Sequence, residues 1–132
     1  LWKQFLAQAV EKGTPYVIGC STELEQLIES EQIHKGITAT AGGFYGPQGR
    51  VLRLGIQDSA LNSKMDSFSF EGHRITNLEM ETSAIYGLGK LLGHHCLSMN
   101  AIIANRANGT FSQDPYKAVD ELILYTLNKL AQ

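Results

Sequence analysis

Short apolar or β-branched runs that end on glycine or on a polar loop alternate along this chain with longer segments of helical period. "TPYVIGCS" (14–21), "GITATA" (36–41) and "CLSMNAIIANR" (96–106) read as buried strands, and "HRITNL" (73–78) as a strand or an extended approach. "LWKQFLAQAVEKG" (1–13), "STELEQLIESEQI" (21–33) and "DSALNSKMDSF" (58–68) read as helices. So do "EMETSAIYGLGKLLG" (79–93) and "YKAVDELILYTLNKL" (116–130), while "ANGTFSQDP" (107–115) is a polar loop. Ser21 or Thr22 opens the second helix, and Gly93 closes the helix on which Met80, Ala84, Leu88 and Leu91 recur about once per turn. Strands that alternate with helices need crossover connections. The pattern therefore predicts an α/β fold, a three-layer α/β/α arrangement on a mixed, mainly parallel sheet, within a single domain over residues 1–132.

Composition narrows the partners. Eleven Lys and Arg nearly balance thirteen Asp and Glu, and no basic run interleaved with aromatics is present, so nucleic acid is not expected as a partner. No apolar stretch approaches the roughly 18 residues of a membrane span, and no charged-then-apolar leader opens the sequence, which gives a cytoplasmic expectation with no membrane partner. Cys20 and Cys96 stand far apart without a ligand rhythm and read as reduced thiols. His34, His73, His94 and His95 have no metal spacing, so surface or helix-end roles are expected and no metal site is.

Ligands of such sheets gather at the carboxyl ends of strands. Three loops fall there: Gly42 to Arg50 ("GGFYGPQGR"), Asn77 to Glu81, and Asn105 to Gly109. The first carries more hydrogen-bonding equipment than a turn requires. Phe44 offers a flat face, Gln48 an amide that donates and accepts, Arg50 and Arg106 rigid donor forks, and Glu79 and Glu81 paired acceptors. If the sheet brings the loops together, the set suits a planar heterocyclic amide joined to a vicinal diol, which describes a nucleoside. Each residue also has a plain reading: the glutamates as favourable charges in a first helical turn, Phe44 and Tyr45 as loop anchors, Arg106 as an ion-pair partner.

"GITATAGGFYGPQGR", "NLEMETSA" and "NAIIANRANG" together closely resemble three motifs of the nucleoside phosphorylases, best those of the uridine phosphorylase branch. The resemblance runs over nearly the whole chain but covers the C-terminal half of that family's usual domain, and so implies a phosphorylase-like fold lacking its N-terminal half. It implies reversible phosphorolysis of a pyrimidine nucleoside, with phosphate as co-substrate and no cofactor. By the same resemblance Phe44 stacks on the base, while Gln48 and Arg50 recognise the uracil edge and stabilise the leaving group. Glu81 takes hydrogen bonds from the ribose 2′ and 3′ hydroxyls, beside Glu79 in the same Glu-Met-Glu motif. Met80 packs on the sugar and offers its amide; Ile103 and Ala104 line the base pocket; Arg106 supports the Gln48 side or contacts the base through water. The catalytic set is then Gln48, Arg50 and Glu81. The purine branch places an aspartate where this chain has Asn105 and Arg106.

The family's phosphate ligands belong to the N-terminal half, partly from a neighbouring subunit, and no glycine-rich phosphate loop precedes Gly36 here. The resemblance thus implies a homo-oligomer, dimer or hexamer, an isolated chain nearly inactive as a phosphorylase, and apolar surface awaiting a partner. Two alternatives stand beside it: a nucleoside-binding module that turns nothing over, and a purine phosphorylase or nucleosidase.

Overall fold

A computed structural model describes residues 15–132. The helix expected over 1–13 lies outside the described residues. Those described form two compact units, one holding 15–18 and Gly36–Ala84, the other Gly19–Lys35 and Ile85–Gln132.

The first unit is a βαβ crossover with a hairpin added. Strand β1 (Ile37–Thr40) pairs in parallel with a strand at His73–Glu79, in the register Ile37 to Ile75, Thr38 to Asn77, Ala39 to Leu78 and Thr40 to Glu79. Between them lie a single 3₁₀ turn at Gly46–Gln48, helix α1 (Leu61–Ser67) and β2 (Ser69–Phe70). The strand at His73–Glu79 is β3, central in the order β1-β3-β2, and β2 joins it antiparallel through Glu71 and Gly72, both at positive φ (50° and 81°). That two-residue turn matches the twist of an antiparallel hairpin. The fold is α/β, on a mixed sheet that includes parallel pairing. Asp58 steadies the start of α1: its carboxylate takes the Lys64 ammonium at 2.7 Å and the Ala60 N–H at 2.9 Å, which holds it below the ordinary carboxyl value.

Helix α2 (Thr82–Leu91) begins in the first unit and ends in the second. It stops where the sequence places a stop, at Gly93 with φ 75°, and the His94 N–H returns to the Gly89 carbonyl at 2.8 Å. In the second unit a helix over Thr22–Ile28, α3, is capped by Ser21, whose Oγ accepts the Leu24 N–H at 3.3 Å. It is shorter than the 21–33 expected. Its last turn is held by helix α4 (Pro115–Leu130), where the Tyr125 hydroxyl donates to the Ile28 carbonyl at 2.5 Å and lies 2.8 Å from Ser30 Oγ. Asp114 caps α4 by accepting the Lys117 N–H at 2.9 Å, with Pro115 in the first turn where its missing N–H costs nothing.

Two expected strands are corrected. Residues 15–21 form no ladder. In the 96–106 run only Ala104–Asn105 (β4) pairs, antiparallel to Thr110–Phe111 (β5), and both strands are exposed. An apolar run specifies a buried strand only where a neighbouring ladder receives it, and here a near hairpin partner takes β4 instead. Burial is modest: among the described residues the buried apolar ones are Ile28 and Ala41, while Val119, Ile123, Leu124, Leu127 and Leu130 of α4 are exposed. Cys20 and Cys96 are free thiols, and burial with the nearby Glu25 carboxylate pushes the Cys20 thiol up.

Candidate functional site

The first unit places two of the three loops at the end of the β1–β3 pair. The ladder runs out at Thr40 and Glu79, and the Ala41 N–H donates to the Glu79 carbonyl at 2.8 Å. The chain leaving β1 enters the Gly42 to Arg50 loop; the chain leaving β3 passes Met80 and Glu81 into α2.

The loop after β1 is closed by its own backbone. Gln48 N and Arg50 N both donate to the Tyr45 carbonyl, at 3.1 and 2.9 Å, and Gly49 N donates to Gly46 O at 2.9 Å. Gly49 sits at φ 71°, and a Cβ there would also collide with the Asn62 amide that donates to its carbonyl. The positive φ is what calls for glycine, since the exposed Asn62 side chain can swing aside. This winding turns the Gln48 side chain inward, where it is 3% exposed, and folds Arg50 back over the loop. Arg50 Nη1 donates to the Gln48 Oε1 at 2.6 Å and to the Phe44 carbonyl, and the guanidinium carbon lies 3.6 Å from the centre of the Phe44 ring. Tyr45 meets Phe44 edge to face at 5.2 Å. Phe44, Gln48 and Arg50 are thus one assembled cluster rather than three solvated residues.

The hydrogen bond between Arg50 and Gln48 also orients the amide. A guanidinium only donates, so the atom facing it is the carbonyl oxygen, and the Gln48 NH₂ points away.

Across the β1–β3 end, Glu79 takes the plain role that the sequence also allowed, a negative charge at a helix start. Its Oε2 accepts the N–H groups of Glu81 and Thr82, each at 2.7 Å, and its Oε1 accepts the Thr40 hydroxyl at 2.5 Å. Thr40 Oγ1 in turn accepts the Ser83 N–H at 3.0 Å. Glu79 therefore serves as the acceptor for the unpaired amides that open α2. Burial pushes its carboxyl up, but the hydrogen bonds from Thr40, from the Glu81 and Thr82 amides and from the Thr82 side chain outweigh that and hold it below its ordinary value. Glu81 is exposed, and its Oε2 accepts the Met80 N–H at 3.3 Å. Met80 is 40% exposed. The amide expected to face a ligand is thus engaged by the neighbouring carboxylate in this structure.

Ile103, Ala104 and Arg106 belong to the second unit. Ile103 is half-buried and its carbonyl takes the Ser112 N–H at 2.8 Å; Ala104 is in β4; Arg106 stands exposed in the β4–β5 turn, which Asn105 Oδ1 shapes by accepting the Ala107 N–H at 2.9 Å. Among the described residues no three His, Cys, Asp or Glu side chains converge as metal ligands. None of the described helices is long and apolar enough to cross a membrane.

The parallel crossover that ends on an aromatic–amide–guanidinium cluster beside a carboxylate-bearing helix start defines a protein of the α/β class, with these side chains gathered at the strand ends where ligands of such sheets usually sit. The model of the phosphorylase superfamily matches residues 4–130, and the chain belongs to that superfamily. Comparison with the curated proteins and with the solved structures finds no match. Thr40 is the residue missed from the sequence. A threonine inside a β-branched strand is read as a strand former, and its role shows only once the register sets it opposite Glu79.

Proposed function

We propose that this chain recognises a pyrimidine nucleoside and takes part in its reversible phosphorolysis to free base and ribose 1-phosphate. Membership of the phosphorylase superfamily supports the reaction class. The single observation that supports a pyrimidine base is the assembled Phe44, Gln48 and Arg50 cluster at the end of the β1–β3 pair, which brings together the ring face, amide and guanidinium that the resemblance to the uridine branch implies. Uracil offers carbonyl oxygens as acceptors for such donors.

In the reaction the bond from C1′ of the sugar to N1 of uracil breaks, its electron pair leaves with the base, and a phosphate oxygen forms the new bond to C1′. Negative charge grows on the uracil carbonyls as the bond lengthens. Donors already held in place at that edge lower the barrier, which is the role of Gln48 and Arg50. Phe44 supports the ring, although Arg50 covers one of its faces here, so the base takes the other. Glu81 receives the ribose 2′ and 3′ hydroxyls, exchanging the Met80 N–H for them and freeing that amide for the sugar. Glu79 supports Glu81 rather than touching the diol. Ile103, Ala104 and Arg106 complete the base side in this reading, phosphate is the co-substrate with no further cofactor, and the working form is a cytoplasmic homo-oligomer.

The test is cleavage of uridine and inosine by the purified protein, with and without phosphate, followed by release of base and ribose 1-phosphate. Uridine cleavage that needs phosphate supports the proposal. Preference for inosine overturns the pyrimidine assignment, and cleavage by water alone overturns phosphorolysis.

A further inference from the structure

We infer that Thr40 is a positioning residue for ribose recognition, joining the strand that leads into the base loop to the helix start that carries Glu81. The inference rests on the reading of Met80 and Glu81 as the sugar-binding part of a nucleoside site.

A hydroxyl has one proton to give and two lone pairs to receive with. At Thr40 the proton goes to Glu79 Oε1 at 2.5 Å and a lone pair takes the Ser83 N–H at 3.0 Å. The other oxygen of Glu79 takes the Glu81 and Thr82 N–H groups, both at 2.7 Å. Three successive backbone amides, those of 81, 82 and 83, are therefore tied to one hydroxyl–carboxylate pair, and that pair occupies the last rung of the parallel ladder. The base loop begins two residues beyond Thr40.

The arrangement divides labour between two glutamates that the sequence presents as equals. Glu79 is committed to backbone amides and to Thr40, while Glu81 gives its backbone N–H to Glu79 and its exposed side chain accepts the Met80 N–H. Thr40 fixes where the Glu81 backbone stands; Glu81 keeps its side chain for the diol. A shift of the helix start would move Glu81 against the base cluster, and small misplacements of a group that orients substrate are costly in rate. The carboxylate form of Glu79 is favoured as well, because both of its oxygens accept here, Oε1 from the Thr40 hydroxyl and Oε2 from two backbone amides.

The experiment compares wild type with Thr40→Val, which keeps the branched shape and removes the hydroxyl, and with Thr40→Ser, which restores it. Uridine phosphorolysis is followed across acid pH together with the carboxyl titration of Glu79 by carbon NMR. Thr40→Val is expected to lower kcat/KM by roughly ten- to a hundred-fold, the range for losing a charge-assisted hydrogen bond and orphaning an amide. It should also move the acid limb of the rate profile and the Glu79 titration to higher pH together. Thr40→Ser should return all three towards wild type. A purely structural threonine would lower the melting temperature without moving the acid limb. If wild type cleaves uridine and Thr40→Val matches it in kcat/KM and acid limb, the positioning role is refuted while the functional reading stands. If wild type binds uridine without cleaving it, the variants are compared in uridine affinity instead, and an unchanged affinity in Thr40→Val refutes the role; if wild type does not bind uridine, the functional reading fails and this role falls with it.

Discussion

Gln48→Glu separates base recognition from loop architecture more cleanly than any truncation. The replacement is isosteric, and it keeps the oxygen that accepts Arg50 Nη1 at 2.6 Å. What it deletes is the Nε2 donor on the far side of the amide. A uracil carbonyl that had received an N–H would then face a carboxylate oxygen. Loss of a neutral hydrogen bond costs about 0.5–1.5 kcal/mol, and an acceptor buried without a donor a further 1–3 kcal/mol or so. Together they come to about 1.5–4.5 kcal/mol, a weakening of uracil and uridine binding by roughly ten- to a thousand-fold. The new charge is taken out of water at a residue that is 3% exposed, which is unfavourable, but the guanidinium already seated on Oε1 offsets it. The loop is therefore expected to hold its shape.

Titration calorimetry with uracil, uridine and ribose 1-phosphate on both proteins reads the outcome. Uracil and uridine should lose affinity by similar factors, since both present the same edge, and ribose 1-phosphate should lose little. Unchanged uridine binding would refute the base-reading role of Gln48. An equal loss for ribose 1-phosphate would show instead that Gln48 only holds the loop together.

Three further outcomes follow from the same geometry. Glu81→Ala should weaken nucleoside binding and turnover without unfolding the protein, because the side chain is exposed and accepts the neighbouring Met80 N–H; a variant with wild-type kinetics sinks the diol assignment. Asp114→Ala removes the side-chain acceptor for the Lys117 N–H and should cost about 1 kcal/mol, or roughly 3–6 °C in a thermal melt; a shift under a degree would mean that Pro115 alone starts α4. Glu79 has a depressed carboxyl, so its contribution to stability is present above the ordinary value of 4.5 and is lost as pH falls below that through its folded-state value. Melting temperatures of wild type should therefore drop more steeply below about pH 4.5 than those of Glu79→Gln, and parallel curves would argue against the cap.

How much of this was written in the sequence depends on the range of the interaction concerned. Helix starts and stops were legible because their causes are local: Ser21 and Asp114 accept from amides three residues on, and Gly93 takes the left-handed turn that ends α2. The strand at 36–41 was legible for the same reason, being β-branched and stopped by a glycine pair. The run at 96–106 misled because apolar character says that a segment can be buried without saying what pairs with it. Its ladder partner proved to be Thr110–Phe111, inside the stretch that polarity had marked as loop. Within the site, the Phe44, Gln48 and Arg50 cluster lies within seven residues, so its chemistry could be listed from the sequence even though the stacking of Arg50 on Phe44 could not.

The two glutamates of "EMET" mark where the sequence stops informing. Either carboxylate could cap the helix, and either could meet a diol; both are favoured by charge at a helix start. Register decides between them. Thr40 stands opposite Glu79 in the parallel ladder, so the Glu79 side chain is drawn to the strand and its second oxygen falls on the amides of 81 and 82. Glu81, two residues on and already within the turn, has no such neighbour across a ladder and is left exposed. A threonine 39 residues away in sequence thereby determines which glutamate is structural and which remains available to a ligand.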